Sequence, residues 1–467
     1  MAHMTQLIAT IVVVTCIIAL FILDRDAGER TSKALWIPVI WMLIVGSRGI
    51  SEWMNPAPNS ALAEQFSEGS PLDASVFGIL IAGGLLTLNL RSRQVAGFLR
   101  ANLPFLLFLS YCAISIIWSD YPFVAFKHWF KTFGDVVMVL VVLTDPNPMA
   151  AIKRFFSRTA FVLLPLSVLF ILFFPDVGSF YDPSDHITYY NGVTTQKNEL
   201  GMICLVLGLA ALWSLLGAYM ERRMPGRARH LAVDSVVFAT AVWLIVKADS
   251  MTSLSCFVLA GAVMVLSEQR WVRQRAGYVH AVVGGAVGLA VFAAVIDTTG
   301  ALLRLLGRNP TLTGRTEIWK AVLSFHTNPL LGTGYDSFWL GDRLTGVWQQ
   351  IGYTGIGQAH NGYLEIYINL GWLGVMFFLG MIAGGYRNAA RALRENPNVG
   401  ILRIALLSAS VMYSLTEAGF RKQNLIWLAF LLAISDVPAI SQFKKRDRSS
   451  ELQLIQTAAG NQVRILR

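Results

Sequence analysis

His360 and Arg315 are the residues of this chain whose type and setting best suit chemistry. His360 sits in Ala359-His360-Asn361-Gly362-Tyr363-Leu364-Glu365, after a Gly-rich stretch and just ahead of an apolar run. A neutral imidazole can take a proton from a hydroxyl near neutral pH, as general-base catalysis requires. The plainer role is an interfacial His at a helix start beside Asn361. Glu365, about one helical turn further on, could orient or tune His360, or simply favour the helix dipole. Arg315 lies in Thr313-Gly314-Arg315-Thr316-Glu317-Ile318-Trp319. Ile318, Trp319, Val322 and Phe325 follow at helical spacing, so Arg315 falls at the N-terminus of a short amphipathic helix. A guanidinium beside free backbone N–H groups suits a phosphate; the alternative is an Arg snorkelling to a membrane boundary.

Other cations stand near the ends of apolar runs. Lys197 lies in Thr194-Thr195-Gln196-Lys197-Asn198-Glu199, and Lys247 shares a short turn with Asp249. Lys127, His128 and Lys131 follow Trp118-Ser119-Asp120-Tyr121-Pro122, and Arg421 and Lys422 sit on a late turn. If several converge they form a pyrophosphate clamp, each charge-assisted bond contributing about 1.5–3 kcal/mol. Solvated surface charge, or weak salt bridges, is the competing account. His186 with Asp182 and Asp185 lacks matching ligands at metal spacing, so no metal and no cofactor is expected. Cys16, Cys112, Cys204 and Cys256 read as small buried hydrophobes.

The elements that position these residues are membrane helices. Of 467 residues, 55% are hydrophobic and 14% charged, against about 25% charged in an ordinary soluble domain. Long apolar runs recur, and only helices or closed barrels satisfy backbone groups in a bilayer. Continuous runs rather than short alternations favour helices. The chain is therefore expected to be an all-α polytopic membrane protein with about 12–13 transmembrane helices. Spans are expected near 6–23, 34–50, 72–90, 102–118, 131–143, 158–174, 199–219, 233–247, 252–266, 278–296, 361–385, 401–415 and 424–440. Residues 1–440 form one helical domain, with 297–360 a large outer loop, and 441–467 a flexible basic tail.

The net charge of +10 does not indicate nucleic acid, because Lys and Arg concentrate in short alternate loops. With an outside N-terminus, the basic loops 91–100, 153–158, 221–230, 269–275 and 387–403 all fall on the cytoplasmic side. The opposite loops, 51–71, 119–130, 175–198 and 297–359, are longer, acidic or mixed, and function is expected there.

Taken in order, Trp118-Ser119-Asp120-Tyr121-Pro122, Gly192–Gly201, Thr313–Trp319, Pro329-Leu330-Leu331-Gly332-Thr333-Gly334-Tyr335, Ala359–Ile366 and Leu370–Gly374 resemble the O-antigen ligase and polysaccharide polymerase superfamily. The Thr-Gln-Lys-Asn form is similar to bacterial exopolysaccharide polymerases of the succinoglycan-production type. The resemblance implies a class C glycosyltransferase-like helix bundle in the bacterial inner membrane, its large loop and active site facing the periplasm. It implies metal-independent glycosyl transfer from an undecaprenyl-pyrophosphate-linked oligosaccharide, with membrane lipid, a chain-length regulator and a flippase as partners. His360 matches the candidate base and Arg315 the pyrophosphate-binding arginine. Lys197, Lys247, Arg421 and Lys127 are further pyrophosphate candidates, and Asn361, Glu365 and Tyr335 support them. Ser250-Met251-Thr252 departs from the family's Ser-Arg or Ser-Lys, leaving that cation's role to Lys247 or to none. Polymerase, ligase to another acceptor and polysaccharide-lipid transporter stay open. Against the transporter, ionisable residues cluster at span ends and no repeat is evident.

Overall fold

The computed structural model describes residues 2–24, 30–54, 69–182, 186–221, 226–273, 276–298, 313–352 and 354–437. The basic tail at 441–467, and 299–312 of the large loop, lie outside the described residues. Apolar runs become helices between local start signals. Pro122, Pro148 and Pro397 occupy first-turn positions, and the side chains of Asn147, Asn361, Asn396 and Asn424 accept backbone N–H groups of the first turn.

Among the described residues, eight helices are long and apolar enough to cross a membrane, or nine if the bent pair Ser92–Ala101 and Leu103–Trp118 is one span. The other expected spans are helices too. Lys33–Val45, Pro397–Tyr413 and Leu425–Ile434 are shorter, and Pro122–Leu143 carries Lys127, Lys131 and Asp135. That last helix starts well before the expected 131. Lys127, His128 and Lys131 therefore ride on its first turns rather than on a free loop, because Pro122 already has the backbone angle a helix needs.

Lys197–Met220 is the central helix. It packs on Arg227–Lys247, Met251–Glu268, Pro148–Phe173 and Pro397–Tyr413, and its side chains from Leu200 to Ala211 are almost all buried. Ala2–Leu23 lies at the rim, against Pro148–Phe173, with Leu7, Ile8, Ile11 and Ile18 exposed as a lipid-facing helix requires.

Loops expected on one side do meet at one end of the bundle. Arg48 bonds the Thr194 carbonyl, Ser119 bonds Ser337, and Asn198 bonds Glu417. At the other end Arg91 reaches Ser32, Arg154 reaches Thr31, and Asn102 bonds Asp436. The first end carries a separate small apolar cluster of Ile318, Val322, Phe338, Trp339, Leu344 and Val347. It is built from the helices Thr313–Ser324 and Gly341–Ile351. This folded cap lies where the sequence suggested a loop.

Candidate functional site

The helix Gly362–Glu395 is interrupted at Gly371, whose φ of 62° and ψ of −168° are not helical. The segment Pro329–Gly334 fills the break. Trp372 and Leu373 N–H groups donate to the Pro329 and Leu330 carbonyls at 2.9 and 3.2 Å. Thr333 and Gly334 N–H groups donate to the Ile368 and Asn369 carbonyls at 3.1 and 2.9 Å. A break in a membrane-embedded helix frees backbone groups that water cannot satisfy, and this segment satisfies them. A Cβ at Gly371 would lie 2.2 Å from the Leu330 carbonyl carbon, so glycine is required for both φ and space. The two motifs Pro329–Tyr335 and Leu370–Gly374 are thus halves of one joint.

The Trp118–Pro122 motif holds the same segment from the other side. The Trp118 indole donates to the Leu331 carbonyl at 3.2 Å, and Ser119 Oγ is 2.7 Å from Ser337 Oγ. Arg343 pairs with Asp120 at 2.6 Å, and the Tyr121 ring packs where a Cβ at Gly341 would be. Tyr335 is anchored by its N–H to Ser115 Oγ at 3.0 Å and by its hydroxyl to Thr132 at 2.6 Å. Burial raises the proton affinity of that phenol, so it stays neutral.

Arg315 and His360 converge on Glu417, in the turn between Pro397–Tyr413 and Leu425–Ile434. Arg315 Nη2 donates to Glu417 Oε1 at 2.7 Å, and His360 Nδ1 lies 2.9 Å from Oε2. Asn198 Nδ2 donates to Oε1 at 3.1 Å. Glu417 is 4% exposed, whereas the Arg315 and His360 side chains are 19% and 23% exposed. Against an ionised carboxylate the Nδ1 nitrogen must carry the proton, so Nε2 holds the free lone pair. His360 has a φ of 48°, a conformation rare for a residue with a Cβ. It is fixed from both sides: Trp319 Nε1 donates to the Ala359 carbonyl at 2.7 Å, and the Gly362 N–H donates to the Ser414 and Glu417 carbonyls at 2.8 and 3.1 Å. Asn361 caps the helix, accepting the Tyr363 and Leu364 N–H groups at 3.0 Å.

Glu365 does not touch the imidazole, contrary to one sequence expectation. Its carboxylate accepts the Trp339 indole N–H at 3.0 Å and the Ala359 N–H at 2.5 Å. Glu365 points into the cap because the helix turns it away from the loop, so it places the residue before His360. The carboxylate that meets the ring is Glu417, which the sequence reading passed over. Its one sequence signal is a lone acid, shortly before Arg421 and Lys422, in a late apolar region.

The remaining candidates form two groups. Lys422 is bonded to Asp336, and His128 Nδ1 is 3.0 Å from the same carboxylate. Burial lowers the proton affinity of the Lys422 ammonium, Lys131 adds to that, and Asp135 opposes it. Arg421 Nη1 approaches Gln358 Oε1 at 3.4 Å. Tyr335, Asp336, Glu365, Arg421 and Lys422 line a cavity of about 40 Å³, room for a few waters. Lys127 Nζ lies 5.3 Å from the Phe123 ring centroid. In the second group Lys197 Nζ is 3.5 Å from the Tyr189 ring centroid, and Lys247 Nζ is 5.5 Å from that of Tyr190. Both tyrosines belong to the hairpin Ser179–Asp182 and Ile187–Tyr190. The candidate cations thus fall into two sets, one around Asp336 and His128 and one against the hairpin tyrosines. At Ser250-Met251-Thr252 the Thr252 hydroxyl meets Thr416 at 3.0 Å, beside Glu417. Among the described residues no three His, Cys, Asp or Glu side chains gather closely enough to hold a metal.

Fold and site together define a multi-pass, all-α membrane protein whose motifs meet at one end of the bundle, around a histidine, a carboxylate and an arginine. Residues 235–379 match the O-Antigen ligase family model, a stretch that contains both Arg315 and His360. The chain is also 24% identical over 324 residues to "Exopolysaccharide production protein ExoQ" of Rhizobium meliloti (strain 1021), covering 65% of this chain and 69% of that protein. The resemblance drawn from the motifs is borne out: both comparisons point to the group of proteins that the motifs resemble.

Proposed function

We propose that the chain polymerises oligosaccharide repeats carried on undecaprenyl pyrophosphate, by glycosyl transfer at the periplasmic face of the inner membrane. The observation that carries this reading is the meeting of Arg315 and His360 on one buried carboxylate. His360 Nε2 takes the proton of an acceptor sugar hydroxyl as its oxygen bonds to the donor's anomeric carbon. The bond from that carbon to the pyrophosphate oxygen breaks, and its electron pair leaves with the lipid pyrophosphate. A single displacement inverts the anomeric centre. Arg315 binds the pyrophosphate and stabilises its growing charge, with Lys197, Lys247, Arg421 and Lys127 as flanking cations and Asn361, Glu365 and Tyr335 in support. Pyrophosphate is a good leaving group, so the step draws on no metal ligand in the chain.

The family description favours a second reading, transfer to a different acceptor with the same donor and base. Purified protein, a lipid-pyrophosphate-linked repeat and mass analysis of products separate the two. Lengthened lipid-linked repeats support the polymerase, and a capped acceptor supports the ligase. No product with either acceptor rejects transfer and leaves transport. His360→Ala is expected to lower transfer by about 10²–10⁴-fold.

A further inference from the structure

We propose that Glu417 is the positioning residue of this transfer, and that its charge passes from Arg315 to His360 when a diphosphate takes the guanidinium. This rests on the reading that Arg315 binds the donor and His360 is the base.

The geometry supplies the exchange. Oε1 serves Arg315 and Asn198, while Oε2 serves His360 alone. The main chain that carries the carboxylate is held: the Glu417 carbonyl accepts from Gly362 and Gly419, and its N–H donates to the Tyr413 carbonyl, at 3.0–3.1 Å. If the guanidinium swings to a diphosphate, Asn198 still holds Oε1, but a neutral amide cannot compensate the charge. A buried carboxylate stripped of its cation is costly. The imidazole is the partner left facing it, and a proton arriving at Nε2 turns that imidazole into the missing cation. Nδ1 keeps its own hydrogen throughout. Donor binding thus strengthens the base at the step that needs it. The other charged groups near the ring are committed elsewhere: Glu365 to Trp339 and Ala359, Arg421 to Gln358, Glu199 to Thr195.

Two measurements test this on the full chain. In steady-state transfer, Glu417→Gln keeps the shape but removes the charge. We expect kcat to fall about 10²–10³-fold, far more than the donor KM changes, with Glu417→Asp recovering part of it. The second measurement needs no turnover: diethyl pyrocarbonate labelling of His360 across pH, read by peptide mass. Arg315→Gln is expected to raise the midpoint pH of labelling by about one pH unit. Inorganic pyrophosphate should move the unaltered protein the same way and leave Arg315→Gln unmoved, and Glu417→Gln should abolish both responses. A midpoint indifferent to Arg315→Gln or to pyrophosphate, or unaltered kcat in Glu417→Gln, overturns the proposal. Labelling reports on Glu417 even if no donor is ever turned over, so failure of the transferase reading is seen separately.

Discussion

The Trp319 indole N–H lies 2.7 Å from the Ala359 carbonyl oxygen, so the helix that bears Arg315 is bonded to the residue that precedes His360. Relative placement of the two groups passes through that bond as well as through Glu417. Trp319→Phe keeps most of the packing and removes the donor. We expect about 1 kcal/mol of lost stability and roughly a tenfold loss of transfer through misplacement of His360. Thermal unfolding in detergent and initial rates on one preparation check both.

Gly371 marks the joint between two motifs. Gly371→Ala meets the Leu330 carbonyl and a forbidden φ at once. Stability is expected to fall by on the order of 2–3 kcal/mol. Pro329–Gly334 should become protease-sensitive, which limited proteolysis would show. Unchanged melting and cleavage would reject the joint as described.

Glu365 and Glu417 are both buried acids beside His360, with different work. Glu365→Gln can keep the Trp339 and Ala359 donors on its one carbonyl oxygen, but it sets an NH2 group against the Trp339 N–H where Oε2 now accepts. A cost of about 1–3 kcal/mol follows from that opposed donor. Its kcat should stay well above that of Glu417→Gln, because the imidazole keeps its carboxylate. Equal rate losses in the two variants would contradict this division.

Arg343 and Asp120 form the most conspicuous exposed ion pair of the cap, Asp120 having a side chain 61% exposed. Solvent screens such a pair. Asp120→Asn is therefore expected to leave both melting temperature and transfer close to the unaltered protein, within about 1 kcal/mol. A larger loss would make that pair part of the site.

Lys197 and Lys247 lie against the hairpin tyrosines on the Asn198 side of the cluster. If they hold pyrophosphate, Lys197→Ala and Lys247→Ala raise the donor KM several-fold while kcat changes little, and salt weakens donor binding less than before. Unchanged KM and salt dependence would assign both lysines to the hairpin alone.

The sequence by itself determined the membrane class, the approximate place of the apolar helices and which loops gather at a common end of the bundle. Those depend on runs of residue types and on where Lys and Arg accumulate, both local properties. It also picked out His360 and Arg315, because an imidazole and a guanidinium beside glycines at span ends are visible one at a time. Only the tertiary structure decided what they share. Glu417 is one unremarkable acid in the chain, and its role depends on a turn, a cap helix and the start of Lys197–Met220 arriving at one point. The same holds for Glu365, whose helix phase aims it at Trp339, and for the Gly371 break, legible only once Pro329–Gly334 fills it. Hydropathy is written along the chain, but the satisfaction of buried charges and orphaned backbone groups is settled between segments far apart in sequence.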